Sequence, residues 1–256
     1  ALRSILAAAI VFPFVDKKEL KKVNVNINLL VVGLLFTANW IFFAFGIQFT
    51  SAIMSQIIYI PTSLIVAVLG FALLKESLKK EEIFGLLLAL VGMIVLYADS
   101  IKSKDIFTSG TPLGNFLVIL GLLSWSLYIV FSRKISKIYR PLTILFFDFV
   151  IAAIASLVLL PVQLKLTSFD YAKVTIAGII GILVLALFSS AGFFYFYQWL
   201  IKNTSAFTAS LLIYPTAVIS IFVGIIFFDE GLTYPLAFGA ILAMAGVFFA
   251  TTYRNV

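Results

Sequence analysis

Residues 50–92 read TSAIMSQIIYIPTSLIVAVLGFALLKESLKKEEIFGLLLALVG, and residues 204–246 read TSAFTASLLIYPTAVISIFVGIIFFDEGLTYPLAFGAILAMAG. Thr-Ser-Ala opens both stretches, Pro-Thr follows at the same distance, and every shared residue recurs 154 positions later. Each stretch contains two apolar runs joined by a turn that carries a glutamate, Glu76 or Glu230. Internal duplication in an apolar chain is typical of secondary transporters, whose two halves move about a site at their interface.

The composition predicts a polytopic membrane protein. Hydrophobic residues make up 63% of the chain, charged residues 11%, and the mean hydropathy is +1.18, whereas soluble domains are about 45–50% apolar. About 20 apolar helical residues cross a bilayer core of roughly 30 Å. We predict spans at 1–15, 28–47, 52–74, 83–98, 113–132, 142–164, 174–201, 206–228 and 234–252. Because the runs are nearly continuous and do not alternate with polar residues, the predicted fold is an all-α integral membrane bundle and not a barrel.

The absence of cysteine and histidine excludes several kinds of catalytic and metal-binding site. The chain has no Cys and no His, which excludes a thiolate nucleophile, an imidazole base, a disulfide and a soft metal site. It also has no Gly-x-x-x-x-Gly-Lys-Ser loop for a nucleotide and no paired aspartates within the spans. We therefore predict that the chain is not an enzyme, uses no cofactor and does not hydrolyse ATP.

The net charge of +7 is explained by the positive-inside rule and does not indicate nucleic acid. If segment 16–25 is cytoplasmic and the spans alternate, thirteen basic residues lie inside: Lys17, Lys18, Lys21, Lys22, Lys75, Lys79, Lys80, Arg133, Lys134, Lys137, Arg140, Lys202 and Arg254. The outside set is Arg3, Lys102, Lys104, Lys165 and Lys173. This asymmetry predicts a multi-pass protein of the cell membrane with a cytoplasmic C-terminus.

The two copies of the repeat are predicted to cross the membrane in opposite directions, because an odd number of spans begins between Thr50 and Thr204. The turn at 75–82 carries three lysines and its mate at 229–236 carries none, as expected for turns on opposite sides. The spacing implies five spans in each half, with a first half at 1–98, an external linker at 99–112 and a second half at 113–256. Since only four spans are visible in the first half, we expect a further helix before residue 1; a nine-helix protein is the alternative.

The order of these features resembles the EamA-type transporters of the drug/metabolite transporter superfamily, in which an aromatic-rich helix, a Thr-Ser-Ala turn, a Pro helix, a Glu and a Gly-rich helix close each half. The first set is Asn39-Trp40-Ile41-Phe42-Phe43-Ala44, Thr50-Ser51-Ala52, Pro61, Glu76, Gly85 and Gly92; the second is Phe193-Phe194-Tyr195-Phe196-Tyr197, Thr204-Ser205-Ala206, Pro215, Glu230, Gly239 and Gly246. Segment 122–133 also resembles the opening helix of that family's second half. The resemblance implies ten helices in two inverted five-helix halves.

The two prolines are predicted hinges. Pro61 lies ten residues after Ser51, about 15 Å deep, and Pro215 lies at equal depth from the other side. Each proline removes the helical bond to the carbonyl four residues earlier, Ile57 or Leu211, and these oxygens are candidates for lining a site. A kink that only shapes packing is the alternative interpretation.

Polar and aromatic residues inside the spans are the candidates for contact with a substrate. They are Asn39, Trp40, Gln56, Tyr59, Ser124, Trp125, Tyr128, Tyr197, Ser210 and Tyr214. Such side chains face the bundle or a water-filled cavity, so hydrogen bonding between helices is the alternative. Asp148 lies well inside a span and is a candidate for ion or proton coupling, or else a paired group near the interface.

Three further sets have structural interpretations. Glu76 and Glu230 are expected to satisfy the backbone at the start of the next helix, near Ser77 or Thr233, with gating as the alternative. Two faces of small residues predict close helix packing: Gly85, Ala89 and Gly92, then Gly239, Ala243 and Gly246.

Together these features predict a secondary transporter that moves a small neutral or zwitterionic metabolite, such as an amino acid, by alternating access. The resemblance implies export or exchange. A channel-like pore and a flippase for lipids or lipid-linked sugars are the rival functions. The expected partners are a small-molecule substrate, membrane lipid and a proton or counter-substrate; the sequence does not predict the oligomeric state.

Overall fold

A computed structural model describes residues 2–22, 27–98, 101, 110–166, 175–228 and 233–252. These residues form α-helices throughout, joined by short links, and the described ranges contain no strand. The predicted all-α class is therefore confirmed. Most of the linker 99–112, Glu230 with its turn at 229–232, and the C-terminal residues 253–256 lie outside the described residues.

The helices follow one another in chain order. They are α1 (Leu2–Val11), α2 (Lys17–Lys22), α3 (Ile27–Gly46), α4 (Ala52–Tyr59), α5 (Thr62–Leu69), α6 (Lys80–Leu96), α7 (Pro112–Ile135), α8 (Pro141–Leu166), α9 (Ile176–Val184), α10 (Phe193–Asn203), α11 (Ala206–Ser210), α12 (Ile213–Phe228) and α13 (Tyr234–Thr252). A 3₁₀ turn, Phe12–Phe14, extends α1. Two π-helical segments extend other helices, Gly70–Leu74 after α5 and Leu185–Gly192 between α9 and α10.

The predicted spans agree with these helices to within a few residues. In the described part of the chain, six helical segments are long and apolar enough to cross a membrane: Ile27–Gly46, Ala52–Leu74, Pro112–Ile135, Pro141–Pro161, Ile176–Asn203 and Tyr234–Thr252. Leu2–Phe14 and Ala206–Ser220 are shorter apolar helices, and α6 has 17 residues. The chain is a multi-pass membrane protein.

The structure divides into two compact units, and each draws on both halves of the sequence. The first unit contains Ala1–Ala38 and Phe131–Thr204, and the second contains Asn39–Val130 and Ser205–Val256. Helices α3 and α7 contribute residues to both units.

The two proline helices are the stretch of α4 and α5 around Pro61 and the stretch of α11 and α12 that contains Pro215. Both are broken, but not at equivalent residues. The first break separates α4 from α5 at 60–61, immediately at Pro61, while the second separates α11 from α12 at 211–212, three residues before Pro215. The Ile57 carbonyl accepts the Ile60 amide at 3.2 Å, and the Leu211 carbonyl accepts the Tyr214 amide at 3.2 Å. The expectation that these two carbonyls are left free was therefore wrong, because each accepts a tighter bond from three residues ahead.

Helices α6 and α13 of the second unit pack with almost no space between their backbones. A Cβ added at Gly92 would lie 2.3 Å from the Ala243 nitrogen, and one at Gly246 would lie 2.3 Å from the Ala89 nitrogen. The contacts pair Gly85 with Ala250, Ala89 with Gly246, Gly92 with Ala243, and Leu96 with Gly239. Residue numbers rise along α6 while the numbers of the contacted residues on α13 fall by the same steps, so the helices are antiparallel. The predicted close packing of these small residues is confirmed.

Aromatic rings fill the interior of the first unit. The Phe36 ring meets Phe149 and Phe194 edge to face, with ring centroids 5.7 and 5.1 Å apart. Such pairs add about 0.5–1.5 kcal/mol beyond the area they bury. Helix α8 begins against α2, because Glu19 Oε1 accepts the Arg140 amide at 3.0 Å and Glu19 Oε2 accepts the Thr143 hydroxyl. An acidic cap suits the positive end of a helix dipole.

Candidate functional site

The two broken proline helices meet in the second unit. Ser63, near the start of α5, donates its hydroxyl to the carbonyl of Ser210, the last residue of α11, at 3.0 Å. Both residues are buried, and the Tyr214 hydroxyl lies beside Ser63. The contact therefore joins the two copies of the repeat where each helix is interrupted, and it uses a carbonyl that the break has left at the end of a helix.

A second polar contact joins α3, α4 and α7 near the first break. The Asn39 amide donates to the Tyr59 hydroxyl at 2.7 Å and to the Gly121 carbonyl at 3.0 Å. A Cβ at Gly121 would lie 2.9 Å from the Tyr59 oxygen, so a glycine allows this approach. The Phe43 ring holds the Tyr59 ring edge to face at 5.6 Å. Because Tyr59 accepts through its oxygen, its own proton can be donated to a further group.

Two aromatic candidates stack on α7. The Trp125 and Tyr128 rings lie 5.0 Å apart at an angle of 24°, with Tyr128 fully buried and Trp125 half-buried. The Ser124 hydroxyl donates to the Leu120 carbonyl of its own helix at 2.8 Å, an ordinary bond within a membrane helix. Trp40 is half-buried on α3, one residue after Asn39.

The polar face of the first proline helix runs from accessible to buried. Gln56 is exposed, Tyr59 is half-buried and Ser63 is fully buried. These residues are spaced by three and four positions, so they follow one side of the helical segment even though it breaks at Pro61. The face therefore leads from accessible surface at Gln56 to the contact between the proline helices at Ser63.

Glu76 has a different partner from the one the sequence predicts. Its Oε2 accepts the Ala206 amide, the first of α11, at 3.2 Å, whereas the start of α6 is capped by Glu82, which accepts the Lys79 amide at 2.8 Å. Glu76 thus caps the proline helix of the other repeat copy, with Lys75 before it in a left-handed conformation at φ 57°. Only the tertiary structure brings this helix start to the glutamate.

Tyr197 and Asp148, the other two candidates, belong to the first unit. Tyr197 is buried and stacks on Phe193, with ring centroids 6.0 Å apart. Asp148 is fully buried on α8, and its Oδ2 lies 3.4 Å from the Gln198 amide nitrogen. Gln198 in turn accepts the Ser132 hydroxyl at 2.9 Å.

The structure thus brings the sequence candidates together in small groups. Asn39 pairs with Tyr59, Trp125 stacks on Tyr128, and Ser210 and Tyr214 both lie beside Ser63. Gly121 and Ser132 were not candidates from sequence. Gly121 lies one helical turn before Ser124, which is the only signal that could have drawn attention to it.

Comparison with known proteins identifies relatives along nearly the whole chain. The model of the EamA-like transporter family matches residues 1–98 and 112–252. "Uncharacterized transporter YyaM" of Bacillus subtilis (strain 168) is 27% identical over 93% of this chain and 76% of its own length. An "Uncharacterized transporter" of Clostridium kluyveri is 23% identical over 79% of this chain and 64% of its length. "Uncharacterized transporter YetK" of Bacillus subtilis (strain 168) is 30% identical over 59% of this chain and 45% of its length.

A solved crystal structure shares the fold. It covers 98% of this chain and 86% of its own chain, with a TM-score of 0.77 and 17% sequence identity.

Proposed function

Because the chain belongs to the EamA-like transporter family, we propose that it is a secondary transporter of a small neutral or zwitterionic organic metabolite, such as an amino acid. The two halves of the sequence form an inverted repeat, and one half rocks against the other. A central site then opens alternately to the two sides of the membrane. The net result is export or exchange of the substrate.

The contact between the two broken helices is the observation that carries this proposal. Irregular backbone at membrane depth is tolerated where it is buried in protein or lines a cavity. Ser63 and Ser210 join the helices beside their breaks, and Pro61 and Pro215 prevent either helix from closing its break with a regular bond. Helices interrupted in this way commonly form the substrate sites of secondary transporters, with the prolines as hinges.

The antiparallel packing of α6 and α13 supports the inverted repeat. In each contacting pair, one residue lies on α6 and the other on α13. Adding the repeat spacing of 154 to the first residue number and subtracting it from the second gives another contacting pair. Gly92 with Ala243, for example, becomes Gly246 with Ala89. A two-fold rotation between the helices produces that relation, and a parallel duplication does not.

The character of the candidate residues supports a substrate without net charge. Asn39, Gln56 and Tyr59 offer neutral donors and acceptors, and Trp125 and Tyr128 offer aromatic faces. A fully charged ligand would need an opposite charge in contact to offset its loss of water. A neutral amino acid carries both charges and an uncharged side chain, so helix ends and amides suit it.

Contacts near the ends of helices support the sidedness predicted from charge, with a cytoplasmic C-terminus in the cell membrane. Arg133 donates to the Ile201 and Lys202 carbonyls at 3.0 and 2.5 Å, and the Arg140 guanidinium lies 3.2 Å from the Asp16 carboxylate. Each contact joins segments that the positive-inside rule assigns to the same side.

Reconstitution of the full chain into liposomes tests the proposed activity. Vesicles loaded with unlabelled threonine, leucine, glutamine, glucose or uridine are diluted into the matching radiolabelled compound, and counterflow is followed over time. We expect saturable counterflow of at least one amino acid. Unsaturable flux without exchange would favour a channel, inhibition by lipid headgroups would favour a flippase, and the absence of counterflow for every probe would refute the proposal.

Two substitutions test the site within that assay. Gln56→Ala and Tyr59→Phe are expected to raise the KM for the transported amino acid while leaving expression unchanged, because each removes a hydrogen-bonding group from the accessible polar face. Ile53→Ala is the matched control, since Ile53 is 46% exposed on the same helix but apolar. If Gln56→Ala and Tyr59→Phe have the same KM as the Ile53→Ala control, Gln56 and Tyr59 contribute to packing and do not contact the substrate.

A further inference from the structure

The buried carboxyl group of Asp148 has a connected set of polar partners in the first unit. Asp148, Gln198 and Ser132 come from α8, α10 and α7, and their relative exposures are all 0%. The bonds run in one direction: Ser132 donates to the Gln198 amide oxygen at 2.9 Å, and the Gln198 amide nitrogen faces Asp148 Oδ2 at 3.4 Å. In this arrangement the amide nitrogen of Gln198 faces the carboxyl group and the amide oxygen faces the serine.

That orientation favours a proton over a metal cation as the ligand of Asp148. A bound cation requires several oxygen atoms around it, yet Gln198 presents its N–H to the carboxyl group and turns its oxygen to Ser132. An N–H donor is compatible with either protonation state of a carboxyl group, since one oxygen accepts the bond while the other gains or loses a proton.

Several charged groups lie on the described elements around α8. On the helices that pack against α8 in this unit, α1 carries Arg3 and α10 carries Lys202. Arg133 and Lys134 follow Ser132 on α7, and Arg133 directs its guanidinium to carbonyls at the end of α10. Asp16, Glu19 and Arg140 form the cluster at the start of α8.

We infer that Asp148 is the site at which transport is coupled to protons, an inference that rests on the proposed transport function. A charged carboxylate in the middle of a membrane helix is costly, so gain or loss of a proton changes the energy of any conformation that alters its surroundings. The step is a simple equilibrium: one Asp148 oxygen takes a proton from water on one side of the membrane, and the carboxyl group releases it to water on the other. Gln198 and Ser132 act as positioning residues.

The test separates exchange from proton-driven accumulation in the same proteoliposomes, with the amino acid that gives the greatest counterflow. In the wild type, a pH gradient should drive accumulation, and entrapped pyranine should report proton movement that accompanies the substrate. Asp148→Asn should retain counterflow, lose gradient-driven accumulation and show exchange that no longer varies with pH. Gln198→Leu should shift the pH at which wild-type exchange changes, and Ser132→Ala should shift it less.

Asp16→Asn is the matched control, because it makes the same chemical change in the partly exposed cluster at the start of α8; it should retain gradient-driven accumulation. Counterflow by the wild type with no response to a pH gradient and no pyranine signal would overturn the coupling while leaving the transport function intact. Gradient-driven accumulation by Asp148→Asn would also overturn it. Absence of any wild-type counterflow would overturn the proposed function and this inference together. If Asp148→Asn does not fold, the wild-type pyranine signal decides whether transport is coupled to protons, and the pH profiles of Gln198→Leu and Ser132→Ala decide whether Asp148 is the site: wild-type profiles in both variants would overturn the assignment.

Discussion

Substitution of Gly92 by alanine tests the close packing of α6 and α13. The added methyl carbon would lie 2.3 Å from the Ala243 nitrogen and 2.7 Å from its Cα, so the helices must separate by about 1 Å to reach ordinary contact. Overpacking of this kind costs about 1–3 kcal/mol. Because alanine has a better helix propensity than glycine, the substitution also offsets up to about 1 kcal/mol of this cost.

Taking the middle of the packing range, about 2 kcal/mol, the expected net loss is about 1–2 kcal/mol, which corresponds to a fall of about 2–8 °C in apparent Tm for a chain of this size. Gly246→Ala should cause an equal fall, because its methyl group would lie 2.3 Å from the Ala89 nitrogen. The assay is fluorescence-detected size-exclusion chromatography of heated, detergent-solubilised protein.

Gly181→Ala is the control, since nothing lies within 4 Å of a Cβ at that helical position. Its apparent Tm should stay the same or rise, as expected for replacing a helical glycine that has no close neighbour, a change worth about 0.5–1 kcal/mol. If Gly92→Ala and Gly246→Ala melt at or above the wild-type temperature, as Gly181→Ala should, the backbones of α6 and α13 are not in direct contact at these glycines.

Three other outcomes are expected. Glu76→Ala should lower the apparent Tm in the same assay, because a lost helix cap costs about 0.5–2 kcal/mol. Glu76→Gln keeps an acceptor oxygen and should lower the apparent Tm less. Equal falls for the two variants would show that the contact with the Ala206 amide does not stabilise the protein. In a double-mutant cycle, Asn39→Ala and Tyr59→Phe should give a coupling energy of about 0.6 kcal/mol, the mean for hydrogen bonds between membrane helices, and strict additivity of the two changes would argue against their bond. Because the chain has no cysteine, Lys137→Cys should react with an impermeant maleimide only in permeabilised cells and Gln48→Cys in intact cells, and the reverse pattern would invert the assigned topology.

Most of the helical architecture could be predicted from sequence because membrane helices depend on local properties. The lengths of the apolar runs and the residues that flank them fix α3, α7, α8 and α13 to within a few residues. The small residues of the repeat, such as Gly92, predict close packing because a helix without side chains on one face can approach another backbone. Each of these inferences needs only one segment of chain.

The details that sequence did not give depend on contacts between segments. Equivalent prolines predict equivalent breaks, yet the second break precedes Pro215 by a turn. There the Leu211 amide is shared between the carbonyls of Phe207 and Thr208, at 3.3 Å each, which tightens the helix before the proline is reached. The partner of Glu76 is likewise fixed by how the two repeat copies pack. The π-helical segments, including Leu185–Gly192, have no signature in the hydropathy pattern.

The tight pairing of α6 and α13 also has a consequence for measuring motion. Helices whose backbones are too close to admit a methyl group cannot slide past each other by a helical turn without first coming apart. The distance between the two helices should therefore stay constant: spin labels attached to exposed positions, Leu87 on α6 and Ile241 on α13, should report one distance under every condition. Displacements of other helices during a transport cycle can then be measured against that constant length.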